Sequence, residues 1–344
     1  MNREIQTIMA REIHEIPDVL ARQIVEGLDL YLTAGREAAA TNPRGFVTCA
    51  RGTSDHAATF FKYVMEISTG LPVASIGPSV ASVYDTPLKL EDFICVAISQ
   101  SGGSPDLVAL QQAASRGGAR TLAIVNVTDS PVGAGADSVL PILAGPEKAV
   151  AATKSFVGSL FAILGFVAGF TGDKALEGAL RAFPETARGA LDCDWTVAEL
   201  ALARAGSVFT VGRGPGLAIA AESALKLKET CRIHAEVFSS AEVLHGPVVL
   251  ADRKFAALVF DPADASTQSV TAAARAMRDK GATALTISAD GKETTALPVP
   301  GVGHPLLMPL VQIIAFYRFT ETLARHLGEN ADAPAGLNKV TETI

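Results

Sequence analysis

The chain has 344 residues, 49% hydrophobic and 19% charged, a composition that excludes a disordered segment and leaves room for two cores of ordinary size. Its 29 Lys+Arg against 36 Asp+Glu give a net charge of -7 at pH 7, so no basic footprint for nucleic acid exists and an anionic ligand must be held by a local site. The four cysteines, Cys49, Cys95, Cys193 and Cys231, are scattered and form no Cys-x-x-Cys or His/Cys cluster. With a start that lacks a secretory apolar region, they point to a reducing, cytoplasmic setting and no structural metal.

From Asn2 to about Ala39, Ile8, Ile13, Ile16, Leu20, Ile24 and Leu28 recur at three- and four-residue spacing, which predicts a pair of amphipathic helices ahead of the first sheet. Phe46 to Ala50 reads as a short strand, followed by Arg51-Gly52-Thr53-Ser54-Asp55 and a helical stretch from Ala57 to Ser68. A second strand is expected at Pro72 to Ile76. The uncharged run Phe93 to Ile98 reads as a strand buried on both faces, and it opens into Ser99-Gln100-Ser101-Gly102-Gly103-Ser104. Ser104 suits an N-cap, Pro105 the first helical position and Asp106 the first turn of a helix that runs to about Ser115. Hydroxyls and free N–H groups gathered at a helix N-terminus suit an anion, most simply a phosphate. The alternative is an ordinary turn whose serines only cap.

A strand at Thr121 to Val127 comes next, and the alternation of strands with helices argues for a parallel, three-layer α/β unit. The stretch Ser155 to Gly172 carries no charge over 18 residues, the lower limit for a bilayer span. Its glycines and serines and the absence of flanking aromatic belts suit a buried helix instead.

The second half repeats the first. Asp92 to Ile98 aligns with Lys254 to Phe260, Arg51-Gly52 with Arg213-Gly214, and Ser104 with Ser266, all at one offset, which indicates a duplicated domain. The hydroxyl-rich loop corresponds in the second copy to Asp261-Pro262-Ala263-Asp264-Ala265-Ser266. Two carboxylates there would repel a phosphate, so only the first copy is expected to bind one. The segment Glu222 to Glu229 is helical in character, with Lys226 and Glu229 on one face, as a solvated ion pair or as a working pair. Ser239-Ser240-Ala241-Glu242 reads as a capping box, and Val243-Leu244-His245-Gly246-Pro247 as one helical turn stopped by glycine and proline. An apolar helix from about Leu310 to Leu327 precedes an irregular tail with one lysine, Lys339. The expected organisation is N-terminal helices over 1–40, a first domain over 41–175, a second over 190–328 and a tail over 329–344.

Ser99-Gln100-Ser101-Gly102, Val150-Ala151-Ala152-Thr153-Lys154, Leu225-Lys226-Leu227-Lys228-Glu229, Ile233-His234-Ala235-Glu236, Glu242-Val243-Leu244-His245-Gly246-Pro247 and Leu337-Asn338-Lys339-Val340-Thr341 together resemble the sugar isomerase (SIS) family. Within it they are most similar to the isomerase portion of the glutamine-dependent glucosamine-6-phosphate synthases. The resemblance implies an α/β fold of two tandem three-layer αβα SIS domains with parallel, flavodoxin-like doubly wound sheets, the first binding phosphate and the second supplying the catalytic glutamate and histidine. The tail would lie over the active site. It implies phosphate binding by Thr53, Ser54, Ser99, Gln100, Ser101 and Ser104, with Gly52, Val150 and Ala151 as further substrate contacts. Glu229 would move a proton between C1 and C2, with Lys226 beside it in the catalytic set. His245 would assist ring opening across a homodimer interface, and Lys339 would contact the open-chain sugar and could form an imine with its carbonyl. The implied partners are a small sugar phosphate and a second copy, with no cofactor, metal, nucleic acid or membrane.

Two departures shape the expected reaction. No cysteine precedes Cys49, so the synthases' glutaminase nucleophile is not expected, and Gly103 stands where they carry a glutamate, as in stand-alone SIS deaminases. The expected activity is conversion of glucosamine 6-phosphate and water to fructose 6-phosphate and ammonia. The alternatives are a galactosamine-6-phosphate deaminase, a fructosamine-phosphate deglycase, an ammonia-dependent synthase, a plain isomerase, and a non-catalytic sugar-phosphate sensor. Against the sensor stand the absence of a helix-turn-helix segment before the first domain and a Glu229, His245 and Lys339 set that sensing would not need.

Overall fold

The structure, a computed structural model, describes residues 7–291 and 295–339. Their elements in chain order are α1 (Ile8–His14), α2 (Ile16–Arg22), α3 (Leu28–Ala40), β1 (Gly45–Cys49), α4 (Thr53–Thr69), β2 (Val73–Ser75), α5 (Ser79–Ser82), β3 (Phe93–Ser99), α6 (Pro105–Arg116), β4 (Arg120–Val125), α7 (Pro131–Ala134), β5 (Ser138–Pro141) and α8 (Lys154–Thr171). The chain continues through α9 (Lys174–Ala190), α10 (Thr196–Arg204), β6 (Ser207–Gly212), α11 (Pro215–Cys231), β7 (Ala235–Ser239), β8 (Phe255–Phe260), α12 (Thr267–Asp279), β9 (Thr283–Ser288), β10 (Ala296–Pro298) and α13 (Met308–His326). Two compact units emerge: one from residues 18–147 and 154–181, the other from 7–17, 148–153 and 182–339.

In the first unit five parallel strands lie in the order β2-β1-β3-β4-β5. Alternate side chains serve opposite faces. Val47, Cys49, Cys95, Ala97, Ala123 and Val125 pack with Leu107, Leu110 and Ala114 of α6 and Val132 of α7. On the other face Phe46 meets Phe61 of α4 and Phe166 and Phe170 of α8, with ring centroids 5.4, 6.4 and 5.7 Å apart. The buried thiols Cys49 and Cys95 behave as small hydrophobes, and burial pushes Cys95 up to about 12. Helices α3 and α8 approach closely because both carry glycines at the contact. A Cβ on Gly35 would meet the Phe166 carbonyl oxygen at 2.1 Å, and one on Gly169 the Leu32 carbonyl oxygen at 2.1 Å. The apolar stretch weighed as a membrane span is therefore a core helix, 89% buried. The segment Pro305–His326 is also apolar enough to span, and it is 83% buried.

The N-terminal segment differs from the expected pair of helices. Pro17 has no N–H with which to continue α1, and a π-helical turn over Gln23–Gly27 separates α2 from α3. The fully buried Gln23 amide spans that turn, donating to Tyr31 Oη at 3.2 Å and to the Gly158 carbonyl at 2.9 Å. The part of the predicted helix before Thr7 lies outside the described residues.

The second unit repeats this sheet as β7-β6-β8-β9-β10, again all parallel. Helix α11 has 17 residues like α4, and both of its ends fall 162 positions after those of α4. The residue before each helix is a glycine in nearly the same left-handed conformation, Gly52 at φ 55 and ψ -131, Gly214 at φ 53 and ψ -134, where a side chain would be strained. One face of the sheet packs Phe209, Val211, Phe255, Ala257 and Val259 against Val270, Ala273 and Met277 of α12. The other is covered by α11 and α13, where Phe260 meets Phe316 with centroids 6.4 Å apart and Cys231 lies against the Thr320 carbonyl.

Candidate active site

Two charged residues of α11, Glu222 and Lys226, are buried inside the second unit. Glu222, Lys226 and Glu229 fall at i, i+4 and i+7 on one helix face. Lys226 is fully buried, its Nζ 3.1 Å from Glu222 Oε1 and 2.7 Å from Glu229 Oε2. It is therefore no solvated pair with Glu229; it bridges two carboxylates. Glu222 is fully buried too and accepts a hydrogen bond from Tyr317 Oη of α13 at 2.9 Å. Burial pushes the Glu222 carboxyl up to about 7, Lys226 pulls it back, and the Glu229 charge adds to the rise. Burial works against the Lys226 ammonium, but the Glu222 and Glu229 carboxylates outweigh it and raise its affinity for its proton.

Glu229 is the member of the network with access to open space. Its side chain is 24% exposed and lines a cavity of about 410 Å³ with Lys228, Arg232, Ile233 and His234 from the end of α11 and Pro334, Ala335 and Leu337 from the tail. Lys226 holds Oε2, and no described residue bonds to Oε1. The volume suits a small phosphorylated sugar. His234 is fixed by a 2.8 Å hydrogen bond between Nδ1 and Ser207 Oγ.

The described part of the tail, residues 329–339, is fastened to the second unit. Asp332 accepts the Ile8 and Met9 N–H groups at 2.9 and 2.8 Å, so its carboxylate closes the N-terminus of α1, and its carbonyl accepts the Val150 N–H at 3.0 Å. Glu12 of α1, 4% exposed, accepts the N–H groups of Lys148 and Ala149. The Ala149 carbonyl in turn accepts Lys339 Nζ at 2.6 Å. Val150, next to the buried Ala151, is thus tied to the tail that carries Lys339. Val340 and Thr341 of the terminal motif lie outside the described residues.

His245 ends a 3₁₀ turn, Glu242–His245, and is exposed. The expected cap is present, with Ser239 Oγ accepting the Glu242 N–H at 3.2 Å, but glycine and proline hold the segment to one tight turn, followed by a second over Pro247–Leu250. His245 does not line the cavity of Glu229. Leu244, Val249 and Leu250 around it are 42%, 74% and 58% exposed.

In the first unit the hydroxyl-rich loop leaves β3 beside the turn that leaves β1, because Cys49 pairs with Ala97 in parallel register. Ser104 takes the N-cap place and Pro105 the first helical position of α6, but the Ser104 side chain makes no cap bond. Ser99 Oγ accepts the Gly102 N–H at 3.0 Å and Ser101 Oγ the Gly103 N–H at 3.4 Å, so both hydroxyls shape the loop. Gly102 has φ +64 and abuts Ser130; a Cβ there would lie 2.0 Å from Ser130 Oγ. Thr53 and Ser54 begin α4, with the Ser54 N–H on the Arg51 carbonyl at 3.1 Å, and Gln100 is partly exposed at the loop's start. The second unit's loop bonds to itself instead. Asp261 Oδ1 accepts the Ala263 N–H and the Thr267 hydroxyl at 3.1 and 2.8 Å, and Asp264 Oδ1 accepts the Ser266 N–H and hydroxyl at 2.7 Å each.

Sequence reasoning missed Glu222, Tyr317, Glu12, Asp332 and the Arg51–Asp106 pair. Only Glu222 left a local signal, a charge one turn before Lys226 on a face otherwise built for burial; the others meet their partners through the fold.

Two parallel five-stranded sheets, a hydroxyl-rich strand-to-helix turn in one and a buried carboxylate–lysine network in the other define a duplicated phosphosugar-type domain. Residues 42–168 and 201–297 match the SIS domain, and the chain belongs to that family. It is 33% identical over 360 aligned positions to the glutamine–fructose-6-phosphate aminotransferase (isomerizing) of Symbiobacterium thermophilum, an alignment covering 96% of this chain and 58% of that one. The chain thus spans less than two thirds of the length of such relatives. Among solved structures, a candidate phosphosugar isomerase from Silicibacter pomeroyi is 42% identical with a TM-score of 0.90, covering 95% of this chain and 100% of that one. Glucosamine-6-phosphate deaminase from Thermotoga maritima shares the fold, with a TM-score of 0.77 at 18% identity over 98% of this chain and 100% of that one.

Proposed function

We propose that this chain is a phosphosugar isomerase that acts on an amino-sugar phosphate, converting glucosamine 6-phosphate and water to fructose 6-phosphate and ammonia. The observation that carries the proposal is the α11 network: a carboxylate with one oxygen held by a buried ammonium, on a residue that lines a cavity of sugar size. In the proposed reaction the phosphate is held by Thr53, Ser54 and the Ser99–Ser104 loop, and its binding energy orients the reacting carbons. His245 assists opening of the pyranose ring. Glu229 takes the C2 proton of the open-chain amino aldehyde and returns it at C1, giving a C2 ketimine; water adds to that carbon and ammonia leaves, producing the ketone. Lys339, an amine in the tail beside Val150, can condense with the ketone carbonyl. The replacement of a loop glutamate by Gly103 favours deamination over synthesis within the family. The exposed Leu244, Val249 and Leu250 around His245 support a second copy as the partner that receives this histidine.

The test is ammonia release from glucosamine 6-phosphate by the purified protein, with hydrogen exchange at C1 and C2 followed in parallel. Glu229→Gln should lower kcat by about 10³-fold, in the range of a lost general base, with phosphosugar affinity unchanged. No ammonia from any amino-sugar phosphate despite tight binding would replace the reading with a sensor; exchange without ammonia would replace it with a plain isomerase.

A further inference from the structure

We infer that the Arg51–Asp106 ion pair is the brace that sets the spacing between the two turns of the phosphate site, with both members acting as positioning residues. The inference rests on the phosphate-binding reading above and extends it to residues outside the hydroxyl set. Arg51 is the last residue before Gly52-Thr53-Ser54, and Asp106 lies in the first turn of α6, directly after the Ser99–Ser104 loop. Arg51 Nε and Nη2 lie 2.8 and 2.7 Å from a single oxygen, Asp106 Oδ2. The other oxygen, Oδ1, accepts the Leu107 N–H at 2.8 Å, so the carboxylate is locked to the helix start as well as to the arginine. Asp106 is 0% exposed, whereas the Arg51 side chain is 49% exposed.

The pair is a direct side-chain link between the turn after β1 and the turn after β3. The Arg51 carbonyl accepts the Ser54 N–H, so a shift of Arg51 carries Thr53 and Ser54 with it. A buried carboxylate next to a bound dianion would repel it, and the guanidinium cancels that charge. The second repeat is an internal control. It keeps the turn, with Arg213 before Gly214, but the position matching Asp106 is Gln268, and no described residue bonds to the Arg213 side chain. Its loop holds the Asp261 and Asp264 carboxylates, which occupy the local donors. The acid–arginine tie is thus confined to the copy whose loop is built from hydroxyls.

A brace and a direct cationic ligand behave differently when the acid is removed. Binding of inorganic phosphate and of fructose 6-phosphate is to be measured by calorimetry on the full chain, on Arg51→Gln, on Asp106→Asn and on the double variant, with melting curves for each. The brace predicts that each single variant weakens both ligands by roughly 10-fold or more, as expected when binding groups are misplaced, and that the double variant binds no worse than the singles. Arg51→Lys, which keeps the charge but cannot present two nitrogens to one oxygen, should also weaken binding and covers the case in which Asp106→Asn fails to fold. Binding that is retained or tightened in Asp106→Asn while Arg51→Gln loses it would overturn the brace in favour of a direct ligand. Unchanged affinities throughout would overturn it outright. Failure of the unaltered protein to bind either ligand would remove the phosphate reading itself, an outcome visible before any variant is compared.

Discussion

Replacing Glu222 by glutamine isolates the electrostatic cost of the α11 network. Burial raises the Glu222 carboxyl from its ordinary 4.5 to about 7, so the folded chain holds this proton more tightly than the unfolded chain does. Stability from this group is fully present below the unfolded value and declines as pH rises from about 4.5 to 7, flattening above. A shift of roughly 2.5 units at 1.36 kcal/mol per unit makes the loss about 3 kcal/mol, and complete burial leaves no solvent screening to discount. Lys226 titrates far above this window and does not contribute to the slope. Glutamine is isosteric, still accepts the Tyr317 hydroxyl and cannot titrate, so Glu222→Gln removes the effect without opening a cavity. Urea unfolding of both proteins between pH 5 and 8 should show the stability difference, native minus variant, falling by about 2.5 kcal/mol of that total across the range. Parallel pH profiles would refute the reasoning, because they would mean that the Glu222 carboxyl binds its proton equally well in the folded and the unfolded chain.

Two further outcomes follow from close contacts. Gly102→Ala places a side chain at φ +64 and 2.0 Å from Ser130 Oγ; unfolding should show a loss of about 1–3 kcal/mol, and inorganic phosphate, measured by calorimetry, should bind more weakly because the whole loop has to move. Glu12→Ala leaves the Lys148 and Ala149 N–H groups without their buried acceptor, for a loss of about 1–3 kcal/mol. Borohydride trapping of fructose 6-phosphate on Lys339 should slow in the same variant while phosphate affinity stays constant.

The repeat was legible from one offset because backbone architecture follows apolar pattern, and that pattern survived duplication: β3 and β8, α4 and α11, and Gly52 and Gly214 all keep their places. The loop at Ser99–Ser104 was legible for a related reason, since strand, glycine and helix start are local signals. The break of the N-terminal run at Pro17 was visible in the chain, but the Gln23 amide that spans the π-turn after it bonds to Tyr31 and to Gly158, the latter more than a hundred residues away. Glu12 and Asp332 could not be read at all. They lie 320 positions apart and act on backbone N–H groups, which leave no trace in side-chain pattern.

Comparison of the two copies supports the role proposed for the α11 charges. At the 162-residue offset Glu222, Lys226 and Glu229 correspond to Phe60, Val64 and Ile67 of α4. Phe60 and Val64 are fully buried, so this helix in this fold is satisfied by apolar side chains at the two innermost positions. Burying a lysine between two carboxylates there instead takes all three groups out of water, and exchange of such groups for hydrophobic ones of similar volume is often neutral or stabilising by about 1–4 kcal/mol. The fold did not need the charges, and the first copy is the demonstration. The same copy that carries them has closed its own anion loop with Asp261 and Asp264, whereas the copy with the apolar helix keeps its hydroxyl loop unoccupied by carboxylates. The buried charges and the hydroxyl loop thus fall in different copies, as the proposed division of anchoring and proton transfer between them requires.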